Sequence, residues 1–259
     1  MTIFRNVVFL AAIAGLVAGL LLSALQAFQT MPLIMQAEAF ENVPAASAAP
    51  DNHATSGHAT SDHASSEQAA ADHAADGHTH DQTAWVPADG FERSFYTVVA
   101  NVAVAIGFAL LLVVASEFAG GLTGWRQGLV WGLAGFAVFS LAPGLGLPPE
   151  LPGMPAADFS ARQTWWIGTV AATAVGLALL VFGRSAVLAV IGVALIVAPH
   201  IIGAPHPASF ETAVPVELHR SFVVAVTIST LVFWLALGAI AGALRPRFLE
   251  THAAHERLA

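Results

Sequence analysis

Six stretches of this chain contain no Asp, Glu, Lys or Arg and are each long enough to cross a bilayer. They run roughly over Asn6–Phe28, Phe95–Ser116, Gln127–Leu147, Gln163–Gly183, Ser185–Pro205 and Ser221–Leu244. A transmembrane helix needs ~20 mostly apolar residues. Backbone in hydrocarbon must satisfy its own hydrogen bonds, which leaves helices and closed barrels, and the period-two alternation of a barrel strand is absent. The expected fold class is therefore an all-α membrane protein with about six transmembrane helices. Five are expected if the third or fifth stretch, with Pro143 or Pro199 near its end, fails to span. Overall composition agrees, at 56% hydrophobic and 10% charged, against ~25% charged in a soluble domain.

The residue types that are missing exclude several chemistries. With no cysteine there is no disulfide, thiol catalysis or thiolate metal site. All nine basic residues are arginine, which removes a P-loop lysine and a lysine Schiff base. A net charge of −8 argues against a nucleic-acid partner, which needs clustered positive charge. Membrane lipid is the expected surrounding.

The first stretch competes with a cleavable signal peptide. Its only basic residue is Arg5, its apolar run exceeds the usual ~7–15 residues, and Leu25-Gln26-Ala27 is a poor cleavage site, all of which favour a retained helix. Four parts follow: a first helix over 1–28, an outer loop over 29–94, a five-helix region over 95–244 and a tail over 245–259. With the N-terminus inside, the inner side holds Arg5, Arg126, Arg184, Arg245, Arg247 and Arg257, and the outer side Arg93, Arg162 and Arg220. That bias follows the positive-inside rule. It predicts a multi-pass membrane protein with both termini on the inner side and the 29–94 loop on the outer side. Only Glu117, Glu250 and Glu256 of the 17 acids fall inside, so the outer face is anionic and attracts cations.

The helices read as three consecutive helical hairpins. The second and third carry similar punctuation, Ala142-Pro143 before Gly146 and Pro148, and Ala198-Pro199 before Gly203 and Pro205. Pro32 holds the matching place in the first. Each outer loop ends in arginine and then an aromatic: Arg93-Ser94-Phe95, Arg162-Gln163-Thr164-Trp165 and Arg220-Ser221-Phe222. Such repeats occur in transporters, although proline at helix ends and interfacial arginine with an aromatic arise without symmetry. Glycines four apart, at 120/124/128/132, 15/19 and 238/242, are the spacing that lets helix backbones approach closely.

Within the outer loop, about 51–82 is rich in histidine. From His53 it reads HATSG, HATSD, HASSE, QAAAD, HAADG, HTHDQ. His53, His58, His63, His73 and His78 each begin a pentad, and His80 is additional. Asp51, Asp62, Glu67, Asp72, Asp76 and Asp81 are interleaved, and no large apolar residue offers a core, so disorder is expected. A five-residue step turns ~140° on a helix, so these histidines converge only by folding around something. Neutral imidazole beside carboxylate suits borderline divalent cations such as Zn, Cu, Ni and Co. A solubilising linker is the competing reading. Capture requires deprotonated imidazole and is favoured above pH ~6.5.

Further candidate ligands flank the helices on the outer side: Glu38, Glu150, His200 and His206. His200 stands directly after Pro199 at the end of an apolar run, and an ionisable residue at membrane depth is a functional candidate. The interiors offer Gln26, Asn101, Ser140, Thr169, Thr173, Thr227, Ser229 and Thr230. They hold no acid and no His-x-x-x-His or Glu-x-x-His pair that would suggest a membrane metalloenzyme. The chain is therefore not expected to be an enzyme or to carry a resident cofactor.

FRNVVFLAAIAGLVAGLLLSALQAFQ, MPLIMQAEAFE, the histidine tract before AWVPADGFERSFYT, FSLAPGLGLPPELPGMPAADFSARQTWW and APHIIGAPHP together resemble the CbtA family of predicted cobalt transporter subunits. The resemblance runs nearly end to end. It implies a bacterial inner-membrane protein with five helices, against the six stretches above. It also implies cobalt uptake linked to cobalamin synthesis and a small partner, CbtB, with one helix and a histidine motif. It supplies no ligand residues. Residues and resemblance together lead to a membrane subunit of a divalent-metal importer, with Co²⁺ as cargo and the histidine loop capturing it. The other reading is a membrane metal buffer or sensor that transports nothing.

Overall fold

In the computed structural model of the chain, residues 2–41 and 90–256 are described. All regular structure among them is helical. Helix α1 (Thr2–Leu25) passes through a π-helical turn, Gln26–Thr30, into α2 (Met31–Glu38). Helix α3 spans Phe91–Glu117, and α4 (Trp125–Phe136) passes through a second π turn, Ala137–Leu141, into α5 (Ala142–Gly146). Helices α6 (Phe159–Phe182), α7 (Ala186–Ile202) and α8 (Val216–Glu256) complete the bundle.

Five runs are long and apolar enough to cross a membrane: Phe4–Glu38, Phe91–Glu117, Trp125–Gly146, Phe159–Phe182 and Val216–Phe248. The fifth expected span is the exception. It is α7, an apolar helix of 17 residues that ends three residues before Pro205. The expected boundaries also move. The first helix does not stop at 28 but continues to Glu38, the second begins at Phe91 rather than Phe95, and the last runs past 244 to Glu256.

Proline explains the two π turns. Pro32 and Pro143 each stand in the first turn of the short helix that follows one. Without an N–H, and with a ring that crowds the carbonyl four residues earlier, proline interrupts the α-helical bonding. Here the helix widens rather than breaks, and Met31 N–H bonds to Gln26 O. Pro199 lies inside α7 with no such turn before it. The structural likeness therefore joins the first and second copies, where the sequence punctuation had suggested the second and third.

The three consecutive hairpins are present only in part. α1 packs along α3, but the other four long helices pair differently, α4 with α8 and α6 with α7, while α8 also packs on α1. Glycine is the cause. A Cβ built on Gly15 would lie 2.5 Å from Ile106 Cα, and one on Gly19 2.7 Å from Val102 Cα. Gly128 and Gly132 meet Gly238 in the same backbone-to-backbone manner, and Gly242 abuts Gly128. Gly176 and Gly192 join α6 to α7. Gly120, first of the four-spaced series, is a loop residue at φ 93°.

The core between α1, α3, α4 and α8 is built from small residues and aromatics. Ala11, Ala14, Ala18, Ala105 and Ala109 are fully buried. Beside them, the rings of Phe108 and Phe139 lie 4.9 and 5.5 Å from Trp234. Trp234 Nε1 donates to Ser140 Oγ at 3.1 Å on the second π turn, so the indole has its polar partner. Large apolar residues such as Val104, Val130, Ile167, Val181 and Val190 face outward, as a lipid-facing surface requires.

One end of the bundle carries both ends of the described chain. There Asn6 Nδ2 donates to Phe248 O at 2.7 Å. Arg245 makes a two-pronged pair with Glu117, at 2.7 and 2.8 Å, and donates to Leu122 O. The opposite, loop end is capped by a second apolar cluster, in which Leu151 and Val214 from two connecting loops pack on Ala37 and Phe222.

Asp158 starts α6 at this end. Its carboxylate accepts from Ser160 Oγ at 2.6 Å and from Ala161 N at 2.8 Å. These bonds hold it below its usual value of 3.8, the Ser160 hydroxyl having the larger effect. A depressed carboxylate contributes stability that is present above its unfolded value and lost as pH falls through its folded one. Thermal unfolding in detergent should show Asp158→Ala less stable than the parent near pH 7, with Asp158→Asn intermediate. The difference between the parent and Asp158→Asn should begin to shrink as pH falls past 3.8 and vanish only below the depressed folded value.

Candidate functional site

The loop end gathers the candidate ligands that the structure describes, but each is engaged separately. Glu38, on the last turn of α2, pairs with Arg93 on α3 at 3.7 Å, with both side chains about half-exposed. Glu150, in the loop after α5, pairs with Arg162 on α6 at 3.1 Å. One residue before it, the Pro149 carbonyl lies 3.1 Å from His219 Nε2 on α8. His200 is half-buried on the last turn of α7, where its ring meets the edge of Trp165 at 6.0 Å. His206 is exposed and contacts the Phe210 ring at 5.9 Å.

Local chemistry accounts for the His200 position. Pro199 has no N–H for the carbonyl of Leu195, and its own carbonyl accepts both Gly203 N–H at 3.0 Å and Trp165 Nε1 at 3.3 Å. Gly203, at φ 89°, then turns the chain away, a conformation that glycine adopts without strain. The Trp165–Pro199 bond sets the indole against the imidazole. An open depression of about 490 Å³ lies beside Trp165, lined by Ser160, Thr164, Gly203 and Ala204.

The four candidates are thus on one end of the bundle and not in one coordination sphere. Among the described residues, no three of His, Asp and Glu come close enough to hold a metal ion together. Glu38 and Glu150 already face arginines, so a cation must compete with those guanidinium groups for them. His53, His58, His63, His73, His78 and His80 lie outside the described residues. The segment that carries them leaves the described chain at Glu41 and returns at Gly90. Both points are at the loop end, since Glu41 borders Gly153 and Gly90 caps α3.

The arginine-and-aromatic repeats have three different environments. Arg93 and Arg162 hold carboxylates, while Phe95 is exposed, Trp165 packs on His200 and Phe222 is buried in the cap. Trp165 was legible as an interfacial anchor, but its role beside His200 was not, because the contact joins positions 35 residues apart.

A second polar site lies deeper, and the sequence reading missed half of it. On the first π turn, Gln26 Oε1 accepts from Asn101 Nδ2 at 2.6 Å, and the same nitrogen reaches Ser23 Oγ at 3.0 Å. One turn on, Gln29 Oε1 accepts from Ser229 Oγ at 3.4 Å. Ser229 is fully buried and Thr30 nearly so. Ending the first helix at Phe28 had put Gln29 and Thr30 in a loop. Periodicity offered no reason to continue it past Pro32.

The family model described as probable cobalt transporter subunit (CbtA) matches residues 4–245, nearly the whole chain. No curated protein and no solved structure matches it.

Proposed function

This chain belongs to the CbtA family of probable cobalt transporter subunits, and from that premise we propose that it is the membrane subunit of an importer for Co²⁺ or a similar divalent metal. The proposed setting is the bacterial inner membrane, with termini in the cytoplasm and the loop end in the periplasm. The histidine-rich segment captures the ion, and Glu38, Glu150, His200 and His206 receive it at the outer mouth. One observation carries this order of events. Both described ends of the histidine-bearing segment emerge at the loop end, where those four residues stand. Imidazole with carboxylate suits a borderline divalent ion, and flexible ligands of this kind follow the Irving–Williams order rather than select one metal. The family description of a subunit supports at least one further chain. A small single-helix partner with histidines, of the CbtB kind, is the one proposed. The competing reading is a membrane buffer or sensor that binds metal without moving it.

Radioactive cobalt uptake separates the two. Cells with the chain and its partner should accumulate label that external chelator does not remove, and His200→Ala should lower it by about 10-fold or more. Deleting 51–81 should lower uptake mainly at scarce cobalt, since it removes capture and spares the path. Label that the chelator strips completely would indicate a buffer. Full uptake by His200→Ala with none by the deletion would place the essential ligands in the segment instead.

A further inference from the structure

The polar side chains of the first π turn are not needed for the outer mouth, yet three helices converge to bring them together. Ser23, Gln26 and Gln29 come from the α1 run, Asn101 from α3 and Ser229 from α8, with partners up to 200 residues apart. Counting 1.5 Å per residue from the loop end, they lie about 14–22 Å down their helices, near the middle of a ~30 Å hydrocarbon layer. The Asn101 amide nitrogen is committed to α1 through both of its bonds. That leaves Asn101 Oδ1 as an acceptor with no donor among the described residues. The π turn adds carbonyls that are no longer in regular α-helical bonding, as such turns do at functional sites.

A separate observation lies beside this cluster. An open groove of about 540 Å³ along α8 is lined by Glu217, Arg220, Ser221, Val224, Ala225 and Ile228, and by Gln29 of the cluster. Gln29 is shared between the groove and the polar cluster, and it bonds to the buried Ser229. The groove offers a carboxylate and a guanidinium at Glu217 and Arg220, and Gln29 offers a neutral amide oxygen. Neutral oxygens bind a divalent ion weakly and leave it part of its water. That suits a station an ion must leave again.

We propose that Ser23, Gln26, Gln29, Asn101 and Ser229 form an uncharged waypoint for a partly hydrated divalent cation, entered through the α8 groove. This rests on the importer reading and names the next step of the path after the outer histidines. The other use of such residues, hydrogen bonding that merely holds helices together, makes the opposite forecast below.

The chain has no cysteine of its own, so Val224→Cys places a single thiol on the groove wall of the full-length protein. In intact spheroplasts, a cationic membrane-impermeant methanethiosulfonate should modify it, and millimolar Co²⁺ should slow the reaction by about 10-fold for a site of ~0.1 mM affinity. Adding Gln29→Ala and Asn101→Leu should leave labelling intact and remove the protection. A monodisperse elution of that variant in detergent, matching the parent, reports that the bundle has formed. Asn101→Asp should move the protection to at least tenfold lower Co²⁺. A thiol that stays unmodified, or protection indifferent to all three substitutions, would overturn the waypoint. Uptake with native Val224 distinguishes the two levels of the argument. If the parent imports cobalt and the Gln29→Ala, Asn101→Leu protein imports it equally, the waypoint fails and the importer stands. If the parent imports none while protection follows Gln29 and Asn101, the importer reading fails and the site stands.

Discussion

Leucine at Gly128 or Gly238 is expected to prevent α4 and α8 from packing and to abolish recovery of a monodisperse protein in detergent. A Cβ on Gly128 falls against the Gly238 carbonyl, and one on Gly238 against the Gly128 carbonyl and 2.9 Å from Gly132 Cα. The obstacle is backbone on both sides, so no rotamer relieves it. Overpacking a core side chain typically costs ~1–3 kcal/mol, and a helix pair that must part along its length should cost at least ~3 kcal/mol. Gly107 and Gly168 provide the control, since nothing lies within 4 Å of a Cβ built on either. Leucine there should be tolerated. The yield of monodisperse protein from the four variants side by side checks both halves, and equal damage in all four would refute the packing account.

The second large effect is expected where the two ends of the described chain meet. The Arg245 side chain is 13% exposed and Glu117 40%, so the arginine is the more deeply placed partner. Glu117→Gln leaves its guanidinium sheltered with a weaker acceptor, at a cost of about 2 kcal/mol. Arg245→Lys should rescue little, because one ammonium cannot reproduce the fork that spans both carboxylate oxygens and the Leu122 carbonyl. A double-mutant cycle with Glu117→Gln and Arg245→Gln should return a coupling energy of about 1–2 kcal/mol. No coupling would mean that the pair contributes nothing beyond its separate solvation.

Much of the architecture was legible because hydrocarbon imposes a simple rule, and long charge-free runs such as Phe95–Ser116 and Ser221–Leu244 have no other stable form. Gly15/Gly19 and Gly238/Gly242 were legible as contact stripes for the same reason. Which stripe meets which was not. Spacing along one helix says nothing of its partner, and the short 118–124 connection does not force α4 against α3. The π turns escaped because proline ordinarily marks an end, and at Pro32 and Pro143 neighbouring helices keep the chain helical. The candidate site was legible by residue type at Glu38, Glu150 and His200. Its actual partners, Arg93, Arg162 and Trp165, come from other helices and leave no local trace.

The brevity of α7 affects more than its own length. Seventeen residues reach about 25 Å, some 5 Å less than the ~30 Å thickness of an average hydrocarbon layer. A helix of that length crosses a bilayer only where the lipid thins, its flanking residues snorkel or neighbouring chains cover it. Where the lipid thins, the low-dielectric slab is narrowest on the flank that carries His200, and the work of bringing a cation near that flank falls accordingly. Reconstitution in bilayers of increasing acyl length should strain this helix first. Sensitivity to membrane thickness is thus built into one segment of the bundle, and the lipid becomes a working component of it.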